Sequence, residues 1–513
     1  ILRAGMIPAG AELSSVDIER ATTSSVEALR AFLEGEVDYR RARFRDAIAH
    51  FNDAVEIDPA FPLALYRLGL AHSWEGRPEL GREFAERALA HADRLPDREA
   101  LLLEGFHRLA DRDDAAIQTL EEYTRRYPDD VEGWHLLGDA YYHIGAPRLV
   151  PLRRFREAAR EAIERNPYFG PPYLHLIDHA FHRRDEKAVL ELVDKYAEID
   201  RDTDWCIGYD VAAGLAYGDS ARRRTTLAAL DTVSADPLSC ASRALVMTPA
   251  TWASYEVVWD EHLSRGTFAA PVRADARFWR GEGLRQRGRI REAVGLREEL
   301  LSGQPASANI RYDLLWYLAG YEDDRIRAWA ERLERAEDKG VRGHVLLALL
   351  AGDEGRPEEA EEHVRALRAL ADSLGAVSDT ARLEGRTAKD ISTMADATLA
   401  ALDLRRDLDD PGALESAREA LFDLSTTNPV LMEILRYDVG RGLVARGRFE
   451  EARPYFESFS WESRWYTTPK EYWLGRVHEG LGHVEEARRH YGNFVTWWED
   501  ADPPFHAWRE EAR

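Results

Sequence analysis

The sequence predicts an all-α chain of antiparallel helix pairs stacked in tandem. Three observations carry this expectation. Apolar residues make up 45% of the chain and charged residues 32%, with Pro and Gly dispersed and not pooled into linkers, as a long run of amphipathic helices requires. From Ser25 onward apolar residues recur at intervals of three and four, in blocks a few turns long separated by short Gly, Pro or Asp turns. At 513 residues the chain also exceeds the length of about 250–300 at which a single core stops growing, so it is either several domains or an array whose units pack on their neighbours.

The elements follow in order. Residues 1–23, with Gly5, Pro8 and Gly10, lack helical periodicity and read as an extended arm or linker. Residues 24–200 form an N-terminal array. Its first unit places Gly35, Ala47, Phe51, Ala54 and Pro59 in the segment FLEGEVDYRRARFRDAIAHFNDAVEIDP. Gly and Ala let two helices approach closely, the aromatic fills the gap to the next unit, and Pro stops the second helix. The pattern returns more loosely at Leu68, Gly69 and Ala88, then at Gly105, Ala116, Leu120 and Pro128. A fourth unit carries Trp134, Leu137, Gly138 and Tyr141, with Ala162 and Pro167 after a longer turn containing Pro147 and Pro151. Residues 201–270 depart most from the rhythm and read as an irregular helical segment. Residues 271–513 form a C-terminal array, with Trp279, Gly281, Leu284, Ala293 and Pro305 in its first unit, Gly440, Ala452 and Phe456 near its end, and Leu474, Gly475, Ala487 and Tyr491 after them.

These small and aromatic positions resemble the signature of the tetratricopeptide repeat, whose period is about 34 residues. The resemblance implies a right-handed superhelical solenoid with a concave face. Three further segments, TTSSVEALRAFLEGE at 22–36, PYFGPPYLHLIDHA at 167–180 and YWLGRVHEGLGHVEEARRHYGNFVTWWEDADP at 472–503, are similar to the repeat-rich regions of large bacterial signalling proteins. That likeness implies a regulatory region of a longer protein. Ile1 stands where a Met would start a complete chain, so an upstream segment is expected as one possibility.

Charge and chemistry narrow the function. A net charge of −24 speaks against a nucleic-acid or anionic-membrane surface, either of which needs a basic face. No stretch is long and apolar enough to insert in a bilayer. Cys206 and Cys240 have no metal-ligand spacing and read as buried free thiols. Phosphate loops, kinase motifs, nucleophile elbows and zinc helices are absent from the sequence, so no catalytic residue, cofactor or metal is assigned.

The function expected is therefore a non-catalytic scaffold that binds a peptide or partner domain on its concave face. The residues expected there are Phe32, Tyr39, Tyr66, Trp74, His135, Asp139, Tyr142, His143, Asp178, Phe181 and His182. His175, His179 and His182 share a helix face at i, i+4 and i+7, and with His135, Asp139, His143 and Asp178 they admit three readings: polar groove lining, structural packing, or a metal site. The alternative function is a self-assembling filament. Trp461, Trp465, Trp473, Trp497, Trp498 and Trp508 crowd the end of the sequence, and Trp497, Trp498, Phe505 and Trp508 are the candidate self-association residues. An unsealed solenoid end making a heterologous head-to-tail contact polymerises. The compartment stays open: the cytoplasm suits a scaffold, an extracellular position a filament subunit.

Overall fold

The computed structural model describes residues 23–264, 270–301, 324–336, 339–378, 381–424, 428–460, 463 and 466–513. Residues 1–22 of the expected arm, Pro305, Trp461 and Trp465 lie outside them. The described residues are helical throughout, with a single β-bridge between Leu383 and Arg386. They fall into two compact units, Ile1–Ala180 with Asp185–Ala213, and Phe181–Arg184 with Gly214–Arg513.

The first unit holds α1 (Val26–Arg40), α2 (Phe44–Ile57), α3 (Pro62–Trp74), α4 (Pro78–Leu89), α5 (Asp97–Ala110), α6 (Ala115–Arg126), α7 (Val131–Ala140), α8 (Leu152–Arg165), most of α9 (Pro171–Arg183) and α10 (Glu186–Ile199). From α1 to α8 each helix packs on the next in sequence. Ser25 starts α1 by accepting a hydrogen bond from the Ala28 amide, and Asp130 does the same for α7 through Gly133. Pro at the first turn starts α3 and α4 where no amide donor is needed. A π-turn at Tyr141–Gly145 extends α7 and accounts for the longer fourth unit.

The turns inside the pairs repeat one device. Ala42, Gly76, Arg112 and Arg184 each take a left-handed conformation, with φ between 54° and 71°. That reverses the chain within three residues. The same residue type of turn recurs in the second unit at Gly288, Gly355, Gly447 and Gly482.

The seams are equally regular. A Cβ on Gly35 would fall 2.5 Å from the Phe51 ring, one on Gly105 2.6 Å from Leu120, one on Gly440 2.7 Å from Phe456, and one on Gly475 2.5 Å from Tyr491. The small residue on the first helix of a pair is thus the hole for the large residue on the second. The central unit is an exception. There the crowded glycine is Gly283, set against the Trp252 ring of the preceding helix, while among the described residues a Cβ on Gly281 would meet only the Arg285 side chain.

The second unit contains α12 (Ser220–Ala229), α13 (Ala235–Leu245), α14 (Trp252–Ser264), α15 (Ala270–Gln286), α16 (Ile290–Leu301), α17 (Asp324–Glu334), α18 (Gly340–Asp353), α19 (Pro357–Gly375), α20 (Ala388–Arg406), α21 (Pro411–Asp423), α22 (Pro429–Ala445), α23 (Phe449–Glu457), α24 (Pro469–Gly480), α25 (Val484–Trp497) and α26 (His506–Glu511), while α11 (Asp204–Ala216) runs across the boundary. A capping box of Thr387 and Asp390 starts α20.

Each unit closes on itself. In the first, the Gly170 amide donates to the Arg40 carbonyl at 2.7 Å, and the Arg43 guanidinium holds Asp200 at 2.6 and 3.0 Å, so the start of the stack touches its fifth pair. In the second, the Gln286 carbonyl accepts from Thr468 Oγ1 at 2.5 Å and from Trp498 Nε1 at 3.1 Å, and the Asp502 amide donates to the Gly288 carbonyl at 2.9 Å.

Candidate binding cavity

Closure decides what the inner helices face. Phe32, Tyr39, Tyr66, His135, Asp139, Tyr142, Asp178 and Phe181 are buried, and Trp74, His143 and His182 are half-buried. Within the first unit most of these side chains pack into the core. Their rings stack on each other across the stack, Phe44 on Trp74 at 5.1 Å, Trp74 on His175 at 4.7 Å, and Tyr142 on His175 at 4.7 Å.

The histidines divide. His143 and His175 meet through their Nε2 atoms at 3.2 Å, and Asp139 lies 3.6 Å from His135 and 3.7 Å from His175. Asp178 instead accepts a hydrogen bond from Tyr209 at 2.7 Å, and His179 meets Arg156 at 3.1 Å. His182 turns to the Met247 carbonyl at 3.2 Å and to Lys470 Nζ at 2.9 Å. Among the described residues no group of three or more His, Cys, Asp or Glu side chains is placed to hold a metal ion. Cys206 and Cys240 are free thiols, both buried.

The aromatic end is packed in the same way. Trp497, Trp498 and Phe505 are buried and Trp508 is half-buried. Trp498 stacks within 4.4 Å of Phe505 and 5.9 Å of Trp508, and Trp508 lies 5.7 Å from Tyr472.

What remains open in the first unit is a cavity of about 410 Å³ among α1, α3, α5 and α7. One wall is a buried charge triad. Arg67, alone among the apolar residues of α3, donates to Glu36 on α1 and to Glu132 on α7, with the second Glu36 oxygen at 3.3 Å. Tyr66 donates to Glu132 at 2.7 Å, and the guanidinium lies over the Tyr39 and Tyr66 rings at 5.1 and 5.2 Å. Burial alone would raise the Glu132 carboxyl, but the adjacent Arg67 outweighs it and holds the group below its ordinary range. Burial pushes the Tyr39 and Tyr66 hydroxyls well up.

The opposite wall is built on α5. Arg98 donates to Asp130 and, at 3.2 Å, to the Tyr123 hydroxyl, which itself donates to Asp130 at 3.1 Å. Glu99 follows on the same helix, with its carboxyl raised chiefly by burial. Phe32, Leu63, Leu102, Leu103 and Phe169 supply the apolar surface, and Arg40, Asp129, Arg165 and Asn166 stand at the solvent side. None of the charged wall residues was singled out by the sequence pattern. The signal present was Arg67 itself, a lone cation inside PLALYRLGLAHSW.

The second unit has a wider cleft of about 1170 Å³ between α17, α18, α19, α20, α22 and α26. Its floor is Tyr437 beside Arg405, which bridges Asp353 at 2.9 Å and the fully buried Asp438 at 2.9 Å. Arg441 also donates to Asp438, at 3.1 Å. Glu331, Arg327, Glu361, Arg406 and Asp403 line the rim, with Trp508 at one side.

Residues 32–98 match the family model for the tetratricopeptide repeat. Those residues carry tetratricopeptide repeats. No curated protein matches it. Among solved structures the chain is similar to Pseudomonas aeruginosa pilF, at 18% identity over 40% of this chain and 91% of that one, with a TM-score of 0.26. It is also similar to the Cut9-Hcn1 hetero-tetramer of the APC/C, at 12% identity over 97% and 99% with a TM-score of 0.31, and to a monomeric IFIT1 mutant with Gppp-AAAA, at 12% over 94% and 92% with a TM-score of 0.28. Tetratricopeptide folds are typical of protein-interaction scaffolds, and among the described residues no helix is long and apolar enough to cross a membrane.

Proposed function

We propose that the chain is a non-catalytic scaffold that holds a segment of a partner protein, with the cleft of the second unit as its main docking space. The observation that carries this reading is the contrast between floor and rim. Arg405, Asp353 and Asp438 are locked together by hydrogen bonds, which spends their charge on the fold. Around them Glu361 and Arg406 keep 64% and 74% of their side-chain surface in solvent, and the half-buried Trp508 adds aromatic area. A mixed-charge rim over a rigid, partly aromatic floor suits an extended protein segment, because rim charges set register while aromatic anchors supply affinity.

The same contrast argues against chemistry in the cleft. The buried polar groups of its floor are paired with each other and not held ready for a reacting atom.

Site-specific photo-crosslinking in cells tests the reading. A benzoylphenylalanine at Arg406 or Arg441 is expected to trap one defined partner protein, while the same probe at Arg488, on the exposed side of α25, is expected to trap none. Equal products from all three positions would overturn it.

A further inference from the structure

A smaller cavity of about 150 Å³ lies in the second unit, between the start of α18, the first half of α20 and the start of α22. It shares these helices with the docking cleft but no lining residue. Val345, Leu346, Met394, Val430 and Leu431 give it apolar walls, and Arg342, Arg386 and Asn428 supply its polar groups. Among the described residues no carboxylate lines it. Asn428 is the group the fold leaves unfinished. It stands just before the first turn of α22 and is 4% exposed, yet its side chain does not cap the helix. Arg386, itself 3% exposed, donates through Nε to Asn428 Oδ1 at 2.6 Å, which fixes the orientation of the amide. The Nδ2 donor is left with no hydrogen-bond partner among the described residues. Arg386 is held in turn by the Glu384 carbonyl at 2.8 Å and the Glu384 carboxylate at 3.7 Å.

We propose that this cavity binds a small free monocarboxylate with a short branched aliphatic tail, its carboxylate accepting from Asn428 Nδ2 with Arg342 as counter-ion. Hydrogen-bonding capacity selects the occupant first. Guanidiniums cannot accept, and Asn428 Oδ1 is taken by Arg386, so the ligand has to bring the acceptor. A buried donor without an acceptor is costly, and a ligand oxygen recovers that loss. Sign selects second. Glu384 offsets Arg386 from outside the lining, and no carboxylate of the lining offsets Arg342, which favours an anion.

Size and wall chemistry agree. An apolar cavity of about 150 Å³ takes a molecule as large as benzene, well below the range of about 300–1,000 Å³ for drug-sized ligands. A purely polar anion would leave the five apolar side chains without a partner, whereas a branched tail covers them. The end of a partner chain fits less well. A terminal residue carries its own amide N–H beside the carboxylate, and the lining offers that donor no acceptor oxygen beyond the one Arg386 already holds.

Ligand-observed NMR on the full chain tests this with 3-methylbutanoate, its neutral isostere 3-methylbutanamide, and acetate. The branched acid is expected to bind about ten-fold more tightly than either, the first difference reporting the charge and the second the tail. Asn428→Asp keeps an acceptor for Arg386 but removes the Nδ2 donor and adds a negative charge, so it is expected to abolish binding with the unfolding midpoint retained. Val430→Phe, on the half-buried wall, is expected to block the tail, and Arg488→Gln on α25 to leave binding intact. Absent binding of the acid, binding no tighter than that of the amide or of acetate, or unchanged binding to Asn428→Asp and Val430→Phe would each overturn the proposal. The peptide acetyl-Gly-Gly-Leu with a free carboxyl end is expected to bind more weakly than the acid; tighter binding would assign the cavity to a chain end and overturn the free-acid assignment.

Discussion

At the scale of single residues, the charges inside this protein are structural before they are anything else. Arg67 neutralises two carboxylates from helices that are far apart in sequence, so its loss strands both of them in the core. Arg67→Met is expected to cost about 3–5 kcal/mol in denaturant unfolding, while the triple change Arg67→Met, Glu36→Gln and Glu132→Gln is expected to recover most of it, because no charge is then left buried. The pH dependence has a definite sign. Glu132 is held below its ordinary range, so its contribution to stability is present above the unfolded carboxylate range and is lost as pH falls through the lowered value. Lys470 gives the opposite case. It is buried, donates to the Phe459 carbonyl at 2.7 Å, and is pulled down to about 8, chiefly by burial. The unfolded lysine titrates at about 10.4, so between those values the unfolded state holds more protons and stability rises with pH. Unfolding midpoints measured from pH 7.5 to 10 are expected to show that rise in the native chain and to lose it in Lys470→Met.

At the scale of elements, the helix pair is the unit in which sequence and structure agree. Gly35 and Phe51, Gly105 and Leu120, Gly440 and Phe456, and Gly475 and Tyr491 are all signature positions, and all four form the same small-into-large seam. These were legible because a seam inside one pair depends only on local spacing. Gly35→Ala should gain up to about 1 kcal/mol in helix propensity but lose about 1–3 kcal/mol to overpacking against Phe51. A net fall in stability is expected from thermal unfolding, and Phe51→Leu in the same chain should restore part of it. Legibility fails at Gly281, where the spacing fits but the crowded position is Gly283, because its neighbour Trp252 comes from the preceding helix and lies outside the pair.

At the scale of the whole molecule, the decisive contacts are those that close each unit. Gly288 marks the closure in the second: it sits at φ 71°, its carbonyl holds the Asp502 amide, and a Cβ there would fall 2.7 Å from Ala501 and 3.3 Å from the Trp498 indole. Gly288→Ala combines a left-handed conformation costing about 1–2 kcal/mol with a clash against packed neighbours. It is expected to release Trp498 from its buried seat, read as a red shift in tryptophan emission and faster amide exchange across 494–505. Unchanged emission and exchange would show that the closure does not depend on this contact.

The sequence by itself determined the helices, their pairing and the glycine seams, because each follows from spacings of three and four and of fifteen or sixteen residues within one hairpin. It also carried the acidic balance and the absence of catalytic motifs. Only the tertiary structure decided which inner side chains reach solvent. Tyr39, His135 and Trp498 stand on faces that an open stack would expose, yet hydrogen bonds from Gly170 to Arg40 and from Trp498 to Gln286 draw remote pairs together and turn those faces into core. The rotation from one pair to the next is small, and its sum over several pairs is fixed by contacts between residues more than a hundred positions apart, which no local period encodes.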